Sequence, residues 1–119
     1  VFYKHLIPNA KYLTEGNSLH FQAKHADFVI VKQQGTLLAY ENRCPHQKRS
    51  LSSDSERFFD DDGDYLKCRH HGALFTPSDG QCIAGPCQGK TLKRATIGLE
   101  EGDFYLLIAE NIESNSAVA

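Results

Sequence analysis

Methionine is absent from all 119 residues, and no apolar run approaches the roughly 20 residues that a membrane-spanning helix needs. Residues 1–15 lack the charged and apolar regions of a secretory signal, so the sequence predicts a cytoplasmic protein with no membrane partner. With Val1 first and no methionine, the initiator has been removed or the chain is part of a longer one, which leaves room for a cleaved leader. An excess of one charge is missing too: 13 basic and 15 acidic residues give a net charge of -2. No basic stripe interleaved with aromatics is present, which argues against nucleic acid as a partner. The sequence also lacks a nucleotide fingerprint, a paired-carboxylate site and a nucleophile triad. A chain of this length makes one domain, so its function sits in a single site.

What is there lies in two short boxes, Cys44-Pro45-His46 and Cys68-Arg69-His70-His71-Gly72. Each supplies one thiolate and one imidazole, and 21 residues separate His46 from Cys68, enough for an excursion and return that sets the boxes face to face. Soft thiolates suit iron–sulfur chemistry, while imidazoles suit zinc, copper or iron. Two cysteines and two histidines also make a tetrahedral zinc site, but zinc fingers usually keep their two cysteines in one box. An all-cysteine cluster on Cys44, Cys68, Cys82 and Cys87 fits no plant-type or bacterial ferredoxin spacing.

The pattern continues beyond the boxes. Leu51 follows the first, Gly72 and Phe75 follow the second as His-Gly-x-x-Phe, and Asp79-Gly80 and Gly85-Pro86 come after. Over roughly residues 42–94 the chain resembles the Rieske-type [2Fe-2S] domain family. The resemblance implies that Cys44 and Cys68 bind one iron and His46 and His71 the other, mixed ligation that raises the potential above that of an all-cysteine cluster. The family's Cys-x-x-His-Gly register selects His71 over its neighbour His70. The resemblance also implies an added electron on the histidine-bound iron, outer ring nitrogens of His46 and His71 facing the redox partner, and a third loop at Gly85-Pro86 covering the cluster. High-potential relatives carry an extra cysteine in each loop, plus a serine and a tyrosine that donate to the cluster. Here Arg49 and His70, Ala73 and Phe75 stand in their places, which implies a low-potential type at roughly -150 mV.

Functionally, the resemblance implies a soluble one-electron carrier, an electron-transfer protein rather than a stand-alone enzyme. Its partners would be redox proteins: a flavin reductase as donor and a terminal oxygenase as acceptor. Two other readings are a small Rieske-like subunit of a larger oxidoreductase, such as assimilatory nitrite reductase, and a zinc-binding interaction module without redox chemistry.

The rest of the sequence reads as strands. Leu19, Phe21 and Ala23 alternate with polar residues, Phe28 to Val31 is a short apolar run, and Thr36 to Tyr40 follows Gln33-Gln34-Gly35, so residues up to 40 form a meander. Tyr65 to Lys67 leads into the second box, and Thr91–Leu99 and Phe104–Ala109 flank a turn at Glu101-Gly102-Asp103, a closing hairpin. No sustained helical period occurs, although Pro8–Leu13 has room for one helical turn. The expected fold is an all-β antiparallel sandwich over residues 1–110, with a small cluster-binding subdomain at about 42–86 and a frayed tail at 111–119.

Residues 52–64 form a longer, more acidic insertion than the family's plainest pattern. Asp62-Gly63 predicts a hairpin that pairs Phe58-Phe59 with Tyr65-Leu66. Its aspartates either solvate the turn or form a docking patch for a basic partner. Cys82 and Cys87 read as half-buried thiols near the cluster in a reducing compartment, and as a closed disulfide loop in an oxidising one. His5, His20 and His25 carry no motif and read as packing or surface residues.

Overall fold

The computed structural model describes residues 2–23, 26–43, 45, 58–68 and 72–109. The expectations for His25, Leu51, the first half of the acidic insertion and the tail lie outside the described residues.

Apolar runs that leave no polar alternation predict strands buried on both faces, and the centre of the molecule is built that way. β3 (Ala26–Gln33) and β4 (Thr36–Glu41) form a hairpin in which Val31 faces Leu38 and Val29 faces Tyr40. Successive side chains leave opposite faces of a strand. Phe28, Ile30 and Ala39 therefore join one core, and Val29, Val31, Leu38 and Tyr40 join another. Burying each large side chain contributes roughly 1.5–3 kcal/mol, so the hairpin anchors both layers.

The first layer comes from the two ends of the chain. β1 (Phe2–Leu6) pairs with β9 (Asp103–Ala109), which pairs with β8 (Arg94–Glu100). β8 is the joint: Arg94 and Ala95 pair with Tyr40 and Ala39 of β4, while residues 96–100 pair with β9. With β2 (Ser18–Ala23) on the far side of β3, one antiparallel sheet results, in the order β1-β9-β8-β4-β3-β2. It curls so that Ile7, Ala10 and Leu106 cover Phe28, Ile30 and Ala39. The helical turn expected near Pro8–Leu13 is a single 3-10 turn, Ala10–Tyr12. Where a sandwich was expected, the two halves belong to one sheet, joined through β8.

The second layer is a three-stranded sheet, β5 (Leu66–Lys67), β6 (Leu74–Phe75) and β7 (Cys82–Ala84), in that order. Its Leu66, Phe75 and Cys82 pack on Val29, Val31, Leu38 and Tyr40. A register shift between Leu74 and Phe75, which pair with Ala84 and Cys82, leaves Ile83 as an extra residue on β7, a bulge that increases local twist.

Turns fall where the sequence places them. Gln34 and Gly35 have φ of 53° and 76°, the mirror-image turn whose twist matches a two-residue hairpin. The Glu15 carboxylate accepts both of their backbone N–H groups, that of Gly35 at 2.9 Å. The Gly35 and then the Gln34 bond hold its pKa below the ordinary value. Glu101 and Gly102, at φ 52° and 82°, repeat the geometry between β8 and β9.

Tyr40 ties the layers together. It is fully buried and its hydroxyl donates to the Pro77 carbonyl at 2.7 Å. Burial pushes its pKa up to about 12, with Arg94 pulling down and Asp79 pushing up. An unfolded chain ionises this phenol near its ordinary value of about 10. Between those values the unfolded state holds fewer protons than the folded one, so stability falls as pH rises. Tyr40→Phe is expected to cost about 1–3 kcal/mol at neutral pH by orphaning the Pro77 carbonyl. Denaturant titrations from pH 9 to 12 should show the wild type losing roughly 2–3 kcal/mol more than this variant.

Candidate metal centre

Of the four residues proposed as ligands, Cys68 is described; Cys44, His46 and His71 lie outside the described residues, as do Arg49 and His70. Cys68 follows β5 directly and is 1% exposed. Its backbone N–H donates to Ala73 O and its carbonyl accepts from Gly72 N–H, each at 2.9 Å. These two bonds close the neck of the loop that carries the rest of the second box. Gly72 can occupy φ +73° because it has no Cβ to clash there. Below the neck, β5 and β6 pair Lys67 with Leu74 and Leu66 with Phe75. The neck is thus held by ladder bonds and seated on a buried apolar core.

The first box hangs from the end of β4. Glu41 N–H donates to Lys93 O and Asn42 N–H to Asp27 O, each at 2.8 Å. These bonds fix the backbone up to Arg43. Asn42 is 5% exposed, the one buried polar side chain among the described residues. Beside the box, Glu41, Arg43, Pro45, Thr91 and Lys93 line an open groove of about 250 Å³, in which Lys93 Nζ lies 3.6 Å from the Glu41 carboxylate. Tyr40, immediately upstream, shares a core with Cys68, so both boxes spring from one packed unit.

The third loop lies against the second. An added Cβ at Gly85 would come within 2.8 Å of Ala73 Cα and 3.3 Å of Ala73 N, and Gly85 holds φ +97°. The backbone of the Gly85-Pro86 segment therefore rests directly on the residue whose carbonyl holds Cys68. Ala73 and Phe75 are both fully buried and carry no hydroxyl, so neither side chain can donate a hydrogen bond.

The acidic hairpin pairs as expected. Phe59 bridges Leu66, Asp60 N–H donates to Tyr65 O and Lys67 N–H to Phe58 O, both at 2.8 Å. Asp60 acts locally: its Oδ1 accepts the N–H groups of Asp64 at 2.9 Å and Tyr65 at 3.3 Å. Of the motif-free histidines, His20 bonds through Nε2 to the Asp27 carboxylate and tilts against Phe58 at 6.0 Å between ring centroids, a packing role. Cys82 and Cys87 are 3% and 1% exposed, more deeply buried than expected, and their sulfurs touch each other at 2.8 Å. Among the described residues no three His, Cys, Asp or Glu side chains converge as metal ligands. Cys68, Cys82 and Cys87 are therefore not arranged for an all-cysteine cluster.

The comparisons specify the class of this all-β domain. The model of the Rieske [2Fe-2S] domain family matches residues 4–101. The chain belongs to the Rieske [2Fe-2S] domain family, and its cofactor is accordingly a Rieske-type [2Fe-2S] cluster. Among solved structures, the ferredoxin of carbazole 1,9a-dioxygenase from Nocardioides aromaticivorans IC177 is similar, with 16% identity and a TM-score of 0.66 over 87% of this chain and 95% of that one. A structure titled as a complex of reduced oxygenase and oxidised ferredoxin in carbazole 1,9a-dioxygenase matches at 23% identity and 0.66, covering 89% and 92%. The terminal oxygenase of the Nocardioides aromaticivorans IC177 system matches at 15% and 0.70, covering 92% of this chain but 30% of its own. No curated protein matches the chain in sequence.

Among the described residues, Cys68 at the end of β5 is a soft donor of the kind the group takes. Gly85→Ala is expected to push the third loop off Ala73, destabilise the fold by about 2–3 kcal/mol and lower iron per chain in metal analysis. Asp60→Ala should cost about 1 kcal/mol in denaturant titration through its two lost backbone bonds. Asp61→Ala and Asp62→Ala, on exposed side chains, should stay within about 0.5 kcal/mol of wild type.

Proposed function

We propose that this chain is a one-electron carrier, in which Cys44 and Cys68 hold one iron of the cluster and His46 and His71 the other. The observation that carries the reading is the seat of Cys68, a buried thiol at the closed neck of a hairpin loop, in a fold that spans 95% of a dioxygenase ferredoxin. The same fold spans 30% of the terminal oxygenase chain, the remainder of which has no counterpart in these residues. The reading gives the chain a flavin reductase as donor and a terminal oxygenase as acceptor, in the cytoplasm.

When bound, the cluster accepts and returns single electrons. The chain's own residues do three things. The β5–β6 neck fixes the position of Cys68, so that one ligand costs little reorganisation as charge changes. Ala73 and Phe75 withhold hydrogen bonds from the cluster's surroundings, and fewer such bonds leave the reduced, more negative state less stabilised. His46 and His71 bring neutral imidazoles, whose outer ring nitrogens can carry a proton and so couple the potential to pH.

Anaerobic purification should give a brown protein that bleaches with dithionite and then shows a paramagnetic resonance signal with average g below that of an all-cysteine cluster. A colourless protein that binds zinc and stays silent after iron and sulfide reconstitution would sink the reading. The potential should lie near roughly -150 mV. Voltammetry should find it higher in Ala73→Ser or Phe75→Tyr, which restore a donor. His71→Cys should move the resonance toward an all-cysteine signal, Cys68→Ala should abolish cluster binding, and His70→Ala should leave both unchanged.

A further inference from the structure

Two cysteines outside the proposed ligand set meet in the core of the small sheet. Cys82 begins β7 and Cys87 lies on the turn that follows, and their sulfurs are 2.8 Å apart. That is well inside the ordinary non-bonded contact of about 3.5–4.0 Å between carbon atoms, and sulfur is the larger atom. As thiols they form a relay, Cys87 donating to Cys82 and Cys82 donating to the Ala84 carbonyl at 3.2 Å. The backbone holds them there. The backbone of one residue, Lys90, joins both: its carbonyl accepts from Cys82 N–H at 2.8 Å, and its N–H donates to Cys87 O at 2.9 Å. Gln88 closes the turn on its exposed side, its side-chain amide donating to Ile83 O at 3.0 Å. A bridge between Gln81 and Thr91 seals the base.

We infer that Cys82 and Cys87 are a site of disulfide formation, closed by exchange with a low-molecular-weight disulfide such as oxidised glutathione. The Cys87 thiolate attacks one glutathione sulfur, breaking that S–S bond and forming a mixed disulfide, and the first glutathione leaves as a thiol with the Cys87 proton. Cys82 then attacks the Cys87 sulfur, the second glutathione leaves with the Cys82 proton, and the protein bond is made. Two electrons pass from the protein sulfurs to glutathione disulfide. Cys87 goes first because it lies on a turn between the exposed Pro86 and Gln88, whereas Cys82 is paired within the small sheet. Cys82 resolves because it is already in contact. Once closed, the bond sits in the core, sheltered from reductants, and braces the loop whose Gly85 rests on Ala73 beside Cys68. The inference does not depend on the electron-carrier reading, since neither cysteine is a proposed ligand.

Trypsin isolates the pair, because cleavage after Arg69 and Lys90 releases residues 70–90 with Cys82 and Cys87 as its sole cysteines. The cluster-loaded full chain, as purified and after exposure to oxidised glutathione, is denatured in N-ethylmaleimide, digested and weighed. The expected peptide is two hydrogens lighter than the dithiol and carries no maleimide, and phosphine reduction restores two alkylatable thiols. A peptide carrying two maleimides after that exposure, or glutathione retained on either cysteine, overturns the proposal. Denaturant titration gives a second readout. Phosphine should shift the wild-type unfolding equilibrium by roughly 40-fold, the effect of opening so short a loop, and leave Cys82→Ala/Cys87→Ala unchanged. Equal sensitivity of the two proteins would also overturn it.

Discussion

Burial of the β3–β4 hairpin on both faces is the constraint from which the rest of the molecule follows. A strand whose side chains must all leave water needs a layer on each side, and a chain of this size has few elements to offer. The two ends of the sequence supply one layer, because β1 and β9 pair and lie with β8 across Phe28, Ile30 and Ala39. The segment between β4 and β8 supplies the other, as the small sheet against Val29, Val31, Leu38 and Tyr40. The metal-binding half is thus a structural layer in its own right, and its loops are anchored by the same apolar contacts that stabilise the hairpin.

That anchoring gives the centre its rigidity. Here the second box is clamped at its neck by the reciprocal bonds of Cys68 with Gly72 and Ala73, and the third loop lies on Ala73 with no side chain intervening at Gly85. The residues closest to this junction are small or apolar, which keeps loops close-packed and also leaves few donors for the cluster. Ala73 and Phe75 thus combine close packing with side chains that carry no hydrogen-bond donor.

The cysteines divide by environment. Cys68 sits at the end of a strand, where a loop can present it. Cys82 and Cys87 face each other across a turn that the Lys90 peptide closes. All three share one core cluster, so depth of burial does not distinguish Cys68 from the other two.

Much of the molecule was legible in the residues. The apolar runs at Phe28–Val31 and Leu38–Tyr40, the turns at Gln34-Gly35 and Glu101-Gly102, and the hairpin around Asp62-Gly63 are local signals, set by side-chain hydropathy and by tolerance of positive φ. The family was legible in the two boxes, because ligand type and spacing are local as well. Two features were not. β1 finds β9 from the opposite end of the chain, and β8 splits its length between two partners. Each depends on which surfaces remain uncovered once the hairpin has formed. The sequence by itself determined the strands, their turns and the family, since those follow from residue chemistry over a few positions. Tertiary structure alone decided the strand order and the clamp on Cys68, because those arise from packing distant segments onto one shared core.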